Sequence, residues 1–206
     1  MMINTLLFLF TAGVVWLVFS LVPPAIGLGH LVRLIFFHIP TAWVSVLAFL
    51  LSAWWAFRYL RNRRLENDYF SYRSALLGFF FCLLATVSGA IFAKLTWGTY
   101  WNWDPRQITI FILLLLYGAY FALRTSIPEQ EKKAKLSAIY SLFSCLTIPF
   151  LVFVIPRYYF SLHPEPVINA SGHIEMNRIM LYVLLASLIN VTLIFFRLLF
   201  SRRISL

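Results

Sequence analysis

Six long apolar runs, separated by short charged breaks, leave this chain of 206 residues few ways to fold. Each run approaches the roughly 20 residues that an α-helix needs to cross the hydrocarbon core of a bilayer. No water is available there, so a spanning segment must satisfy its own N–H and C=O groups as a helix or in a closed barrel. The runs are continuous and do not alternate, which argues against the barrel. The expected fold is therefore an all-α integral membrane protein, a single domain over residues 1–206 built as a bundle of six transmembrane helices. Composition agrees: 62% of the residues are hydrophobic and 12% charged, against about half and about a quarter in soluble domains.

Proline and charge punctuate the runs. The first helix is expected over Ile3–Val22, ended by Pro23-Pro24, which cannot continue a helical ladder. An irregular stretch, Ala25–Pro40, leads to a second helix from Pro40-Thr41 to Leu60. A polar loop, Arg61–Ser74, precedes the third helix, Ala75–Leu95. The fourth is expected over Pro105–Arg124 and the fifth over Leu136–Ile155, kinked at Pro149. A loop, Arg157–Asn177, leads to the sixth, Arg178–Phe200. No Lys or Arg precedes Arg33, so the first run reads as a retained helix and not as a cleaved leader. Cys82 and Cys145 lie inside apolar runs with neither zinc spacing nor a C-x-x-C-H sequence.

The formal charge of +10 might suggest nucleic acid, but its distribution points to the membrane. With six crossings, one side collects Arg58, Arg61, Arg63, Arg64, Arg73, Arg124, Lys132, Lys133, Lys135, Arg197, Arg202 and Arg203. The other side has only Arg33, Lys94, Arg106, Arg157 and Arg178. Cytoplasmic loops are the ones enriched in Lys and Arg, so both termini are expected in the cytoplasm and no nucleic-acid partner is expected. The segment between helices 3 and 4, and all four histidines, then face outward.

That segment is Trp97-Gly98-Thr99-Tyr100-Trp101-Asn102-Trp103-Asp104-Pro105-Arg106-Gln107. If helical, Trp97, Tyr100, Trp101 and Asp104 would share a face. Two readings fit: an interfacial Trp/Tyr belt, or a plate for a flat ligand such as haem. Asp104, Pro105 and Gln107 also match a helix N-cap, an N1 proline and an N3 glutamine. His38, before the second helix, and His163, before the sixth, could ligate a haem iron from opposite sides, or could be interfacial histidines without a metal. His30 and His173 have weaker settings. Arg106 and Arg157 are the outer bases best placed for haem propionates, while Lys94 is expected to snorkel.

Trp97-Gly98-x-x-Trp101-x-Trp103-Asp104 resembles the WWD signature of the haem-handling protein superfamily of cytochrome c biogenesis. Six helices in a short chain, with His38 before helix two and Leu162-His163 after helix five, resemble its CcmC branch across nearly the whole length. The resemblance implies haem b held in transit at the outer, periplasmic face of the cytoplasmic (inner) membrane. Trp97, Gly98, Tyr100, Trp101, Trp103 and Asp104, within a WWD segment over 96–107, would cradle the macrocycle. His38 and His163 would serve the iron. The implied partners are the periplasmic haem chaperone CcmE, which receives the haem covalently, the ATP-binding-cassette subunits CcmA and CcmB, and the small membrane protein CcmD. Tyr100 stands where the branch often has tryptophan, and Trp-Asp-Pro occurs also in sister CcsA-type synthases, so branch assignment rests on size. A haem-binding and delivery protein is expected rather than a stand-alone enzyme. The alternatives are a CcsA- or CcmF-type haem lyase, a haem-export permease subunit, and a structural membrane subunit.

Overall fold

The computed structural model describes residues 2–163 and 176–201. His173, Arg202, Arg203 and most of the loop before the last helix lie outside the described residues. Helix α1 spans Met2–Leu21, α2 Ile35–Asn62, α3 Leu65–Trp97, α4 Pro105–Ser126 and α5 Gln130–Pro149. α5 passes through a π-helical turn, Phe150–Val154, into the short α6, Ile155–Tyr158, and α7 covers Arg178–Leu199. With α5 and α6 counted as one, six spans among the described residues are long and apolar enough to cross a membrane. The chain is a multi-pass, all-helical membrane protein.

The starts of three helices differ from the sequence reading. α2 begins at Ile35, after a 3-10 turn over His30–Leu34, so Pro40 and His38 lie within it. Pro40, where the helix is expected to start, stands in its second turn, and the Thr41 hydroxyl lies on the adjoining carbonyls of Phe37 and His38, at 2.9 and 2.8 Å. α3 begins at Leu65 and α5 at Gln130, ten and six residues before the apolar runs. Those polar first turns carry Glu66, Asp68 and Glu131, acids that suit the positive end of a helix dipole. At Pro149, where a kink is expected, the helix passes into the π turn. Proline offers no N–H to the ladder and crowds the preceding turn, so the register opens there.

Small residues set the packing of α2 on α3. In α2, Ser45, Ala48, Ser52 and Ala56 are buried, and in α3 Ser71, Ala75, Gly78, Cys82 and Ala85 are buried. Spaced three or four apart, they form stripes along which two backbones can approach closely. At Gly78 the approach is tightest: a Cβ there would stand 2.7 Å from the Phe49 ring. Phe49 stacks on Tyr117 of α4 with centroids 3.6 Å apart. Ser52 meets Ser71 at 3.4 Å and Ser141 of α5 at 3.1 Å, tying three helices by hydroxyls.

Ion pairing fastens one end of the bundle. Arg124, in the last turn of α4, donates from both Nη atoms to the carboxylate of Asp68 at the start of α3, at 2.7 and 2.6 Å. This two-pronged geometry matches the planar guanidinium to the planar carboxylate. Arg73 reaches the end of α7 through the Leu198 carbonyl and the Ser201 hydroxyl. α1 lies against α7, with Arg197 donating to Asn4 at 2.8 Å and Thr11 donating to Asn190 at 2.9 Å. The start of α1 therefore lies at the same end of the bundle as the end of α7. The aromatic segment after α3 and the start of α4 lie at the other end.

Candidate functional site

α3 stops at Trp97 because Gly98 takes up the left-handed conformation (φ 84°) in which its N–H bonds back to the Lys94 carbonyl. Glycine is the residue that adopts this cap at least cost. Residues 98–104 then run as an irregular loop, so the single helical face drawn through Trp97, Tyr100, Trp101 and Asp104 is not formed. Instead Trp97 ends a helix, half-buried, and the other rings belong to the loop. Trp103 is itself left-handed, with φ 57°, and 71% of it is exposed. Tyr100 is 60% exposed, with Lys94 over its ring at 5.6 Å. Trp101 sits edge-on to both Trp103 and Phe111, at 5.9 and 6.0 Å between centroids.

Asp104 is the N-cap of α4, as expected. Its Oδ1 accepts the Arg106 N–H at 2.9 Å, with Pro105 in the first turn. Gln107 departs from the capping-box pattern: its Oε1 accepts from the Asn102 N–H at 2.8 Å and so anchors the loop, not the cap residue. Asp104 does more than start a helix. It accepts from the Ser161 hydroxyl at 2.9 Å, from the Leu162 N–H at 2.7 Å and from His163 Nδ1 at 2.9 Å. One buried carboxylate thus fixes the segment after α6 on the start of α4.

His163 is consequently held on two sides. Asp104 takes its Nδ1, and the edge of Trp97 meets its ring at 5.0 Å between centroids and 65°. The 2.9 Å contact would look like an ion pair, yet burial and the nearby Arg106 guanidinium outweigh the attraction of Asp104 and keep the His163 pKa below its ordinary value. The ring is thus a neutral imidazole that donates Nδ1–H and keeps a lone pair on Nε2. Burial pushes the Asp104 carboxyl up, but hydrogen bonds from the Arg106 N–H, the Ser161 hydroxyl and the Leu162 N–H hold it below the usual carboxylate range, with His163 adding to the effect only where acid protonates it.

His38, from α2, is half-buried against α3, its Nδ1 3.1 Å from the Ser88 hydroxyl. His163 and Arg106 both lie within electrostatic reach of it. Of the two imidazoles that the sequence singled out, His163 thus lies against Trp97 at the head of the aromatic loop, and His38 lies against Ser88 of the same helix, α3. Among the described residues, the Arg106 guanidinium has no hydrogen-bond partner, and it senses the charges of Asp104 and Arg157. Arg157 is exposed and folds back onto its own helix, donating to the Phe153 carbonyl at 3.0 Å. His30 is exposed on the 3-10 turn and joins none of these groups. Among the described residues no group of three or more His, Cys, Asp or Glu could hold a bare metal ion. A macrocycle that brings four nitrogen ligands of its own asks only for one or two axial imidazoles.

Several residues of the site escaped the sequence reading. In the sequence Ser88 and Gly89 read as part of an apolar run. A glycine inside a long helix is a signal that something approaches closely, and here it is His38: a Cβ on Gly89 would lie 2.9 Å from His38 Cε1. Ser161, two places before a candidate histidine, has no local sequence signal, because its partner Asp104 lies 57 residues earlier. Tyr158, Tyr159 and Phe160, between 59 and 88% exposed, add a second aromatic strip beside the loop that ends in His163.

The fold and site define a class: an all-helical, multi-pass membrane protein that carries an open aromatic loop and two clasped imidazoles at one end of its bundle. Within that class the chain belongs to the CcmC family, described as heme exporter protein C, whose pattern matches residues 1–205. Heme exporter protein C of Bradyrhizobium diazoefficiens is 27% identical over 176 residues, 85% of this chain and 66% of that protein. The chain thus spans just under two thirds of that relative. A ccmC-like mitochondrial protein of Marchantia polymorpha, named for cytochrome c biosynthesis, is 31% identical over 189 residues, 90% of this chain and 79% of that protein. A cytochrome c biogenesis protein CcsA of Prochlorococcus marinus is 45% identical over 73 residues, which is 35% of this chain and 24% of the relative.

Proposed function

We propose that this protein, as a single six-helix domain, binds haem b as cargo during cytochrome c maturation and presents it to an acceptor. The observation that carries the reading is His163: a neutral imidazole clasped by Asp104 at 2.9 Å and edged by Trp97, with His38 within electrostatic reach. An imidazole that has given its Nδ1–H to a carboxylate offers Nε2 to a metal, a pairing typical of metal-binding histidines. His163 and His38 serve the iron from the two sides of the macrocycle.

The aromatic residues of 96–107 take up the macrocycle's apolar area. Each Å² removed from water is worth roughly 25 cal/mol. Trp97 forms the inner wall, Gly98 turns the chain, and Tyr100, Trp101 and Trp103 form the open rim. Arg106, unpaired among the described residues, and Arg157 take the propionates. The exposure of Tyr100 and Trp103 supports a shallow platform, one that leaves a ring edge within reach of the acceptor. That acceptor is a periplasmic haem chaperone of the CcmE kind. The platform faces the periplasm across the inner membrane, and release draws on an ATP-binding-cassette pair of the CcmA and CcmB kind, with a small CcmD-like subunit alongside.

A second reading, a haem lyase, is favoured by the local likeness to CcsA, but that likeness covers only 35% of this chain. An absorption spectrum of the purified protein tests the haem reading. A Soret band is expected after expression with haem available. His38→Ala and His163→Ala should each shift or abolish it, and a wild type that stays colourless when haem is added would overturn the proposal.

A further inference from the structure

The two imidazoles are held by different chemistry. His38 Nδ1 lies 3.1 Å from Ser88 Oγ. That oxygen lies 2.8 Å from the Leu84 carbonyl and 3.1 Å from the Ala85 carbonyl of its own helix, both pure acceptors. A hydroxyl has one hydrogen and two lone pairs. If that hydrogen goes to a helix carbonyl, Ser88 meets the ring as an acceptor, Nδ1 carries the proton and Nε2 keeps its lone pair.

Gly89 completes the socket. With 2.9 Å between its would-be Cβ and His38 Cε1, any side chain there would push the ring off α3. His163 shares the tautomer, but its Nδ1–H meets the carboxylate of Asp104. A carboxylate pulls on the imidazole proton more strongly than a neutral hydroxyl does, and raises the basicity of the opposite nitrogen more. One ring is therefore the stronger donor by construction.

We propose that Ser88 is a positioning residue that fixes His38 as its Nδ1–H tautomer, and that hydroxyl-backed His38 is the weaker axial ligand, released first when haem is handed on. The second half rests on the haem reading above, and the first half does not. The balance of ligation is simple: the Fe–Nε2 bond to His38 breaks, the lone pair returns to Nε2, and no proton or electron moves.

The tautomer can be read without haem, by 15N NMR of histidine-labelled protein in lipid nanodiscs, with His38→Gln identifying the signal. The wild type should show Nδ1 protonated and Nε2 bare. Ser88→Ala should give a mixture, and Ser88→Thr, which keeps the hydroxyl, should restore the single form. A wild type with Nε2 protonated, or a Ser88→Ala variant with the tautomer unchanged, overturns the assignment. In the haem complex, Ser88→Ala should lower affinity about tenfold, as lost partners of metal-bound histidines do, while Ser88→Thr stays near wild type.

Carbon monoxide added to the ferrous complex takes the place of the weaker ligand. The wild-type C–O stretch should then match that of His38→Ala, since both keep His163 opposite the gas. A match to His163→Ala instead reverses the order of ligands and overturns the second half. A wild type that takes up no haem at all removes the ligand role together with the haem reading, and leaves the tautomer result to stand or fall on the NMR. Should Ser88→Ala not fold, the wild-type tautomer and the wild-type gas complex still decide.

Discussion

Asp104 accepts hydrogen bonds from four residues, and two of its duties can be separated by chemistry. Capping α4 needs only an acceptor oxygen, which asparagine supplies nearly as well as aspartate. Gripping the His163 segment uses the charge. The carboxyl is held below the usual carboxylate range by those hydrogen bonds, so the folded state favours its ionised form. The stability it lends is then fully present above the ordinary carboxylate range and is lost as pH falls through the lowered value. Hydrogen exchange at the Leu162 amide, which donates to Asp104 at 2.7 Å, should therefore stay slow across neutral and mildly acid pH and quicken only in strong acid. Asp104→Asn should remove that acid step while α4 still starts at residue 105, as judged by protection of the first α4 amides. The cap was legible in Asp104-Pro105-Arg106-Gln107, because capping is local. The grip was not, because its other half lies 57 to 59 residues further along the chain.

At the scale of elements, the apolar runs located six helices but not their ends. Hydropathy reads Asn67, Asp68, Ser71 and Arg73 as a loop. In the folded chain they are the first turns of α3, made helical by their partners: Asp68 pairs with Arg124, Ser71 meets Ser52, and Arg73 reaches α7. Those partners belong to other helices, so no local window reveals them. The same limit hid Gly89, whose reason for being glycine is a ring on α2. Alanine is the better helix former by up to about 1 kcal/mol. Gly89→Ala should thus leave thermal stability equal or higher while displacing His38 and cutting haem affinity by tenfold or more. Gly78→Ala is the matching control: its Cβ meets the buried Phe49 ring at 2.7 Å, and it should destabilise the bundle by about 1–3 kcal/mol. Thermal denaturation in detergent, set beside haem titration, distinguishes the two. If Gly89→Ala loses stability and haem in proportion, the socket around His38 is only packing.

At the scale of the molecule, α3 alone, with 33 residues, reaches about 50 Å at 1.5 Å per residue, more than a hydrocarbon core. Its polar first turns, with the Asp68–Arg124 pair, stand at one end, and Trp97 with the aromatic loop stands at the other. The basic residues gather at the first end, which on the positive-inside bias we propose faces the cytoplasm. Cysteine labelling in intact cells with a reagent that does not cross membranes checks the orientation. Trp103→Cys should label from outside, and Arg61→Cys only after the membrane is opened. The reverse pattern would turn the protein over and remove the periplasmic acceptor from the proposed function.

The shared carboxylate has an evolutionary consequence. One side chain sets where a membrane helix begins and how an imidazole is aimed, so a substitution at position 104 answers to two selective demands at once. Asparagine meets the first and fails the second; glutamate keeps a charge but, being longer, is a poor starter of helices. A substitution in the strip from Tyr158 to Phe160, by contrast, leaves that carboxylate and its hold on the ring in place.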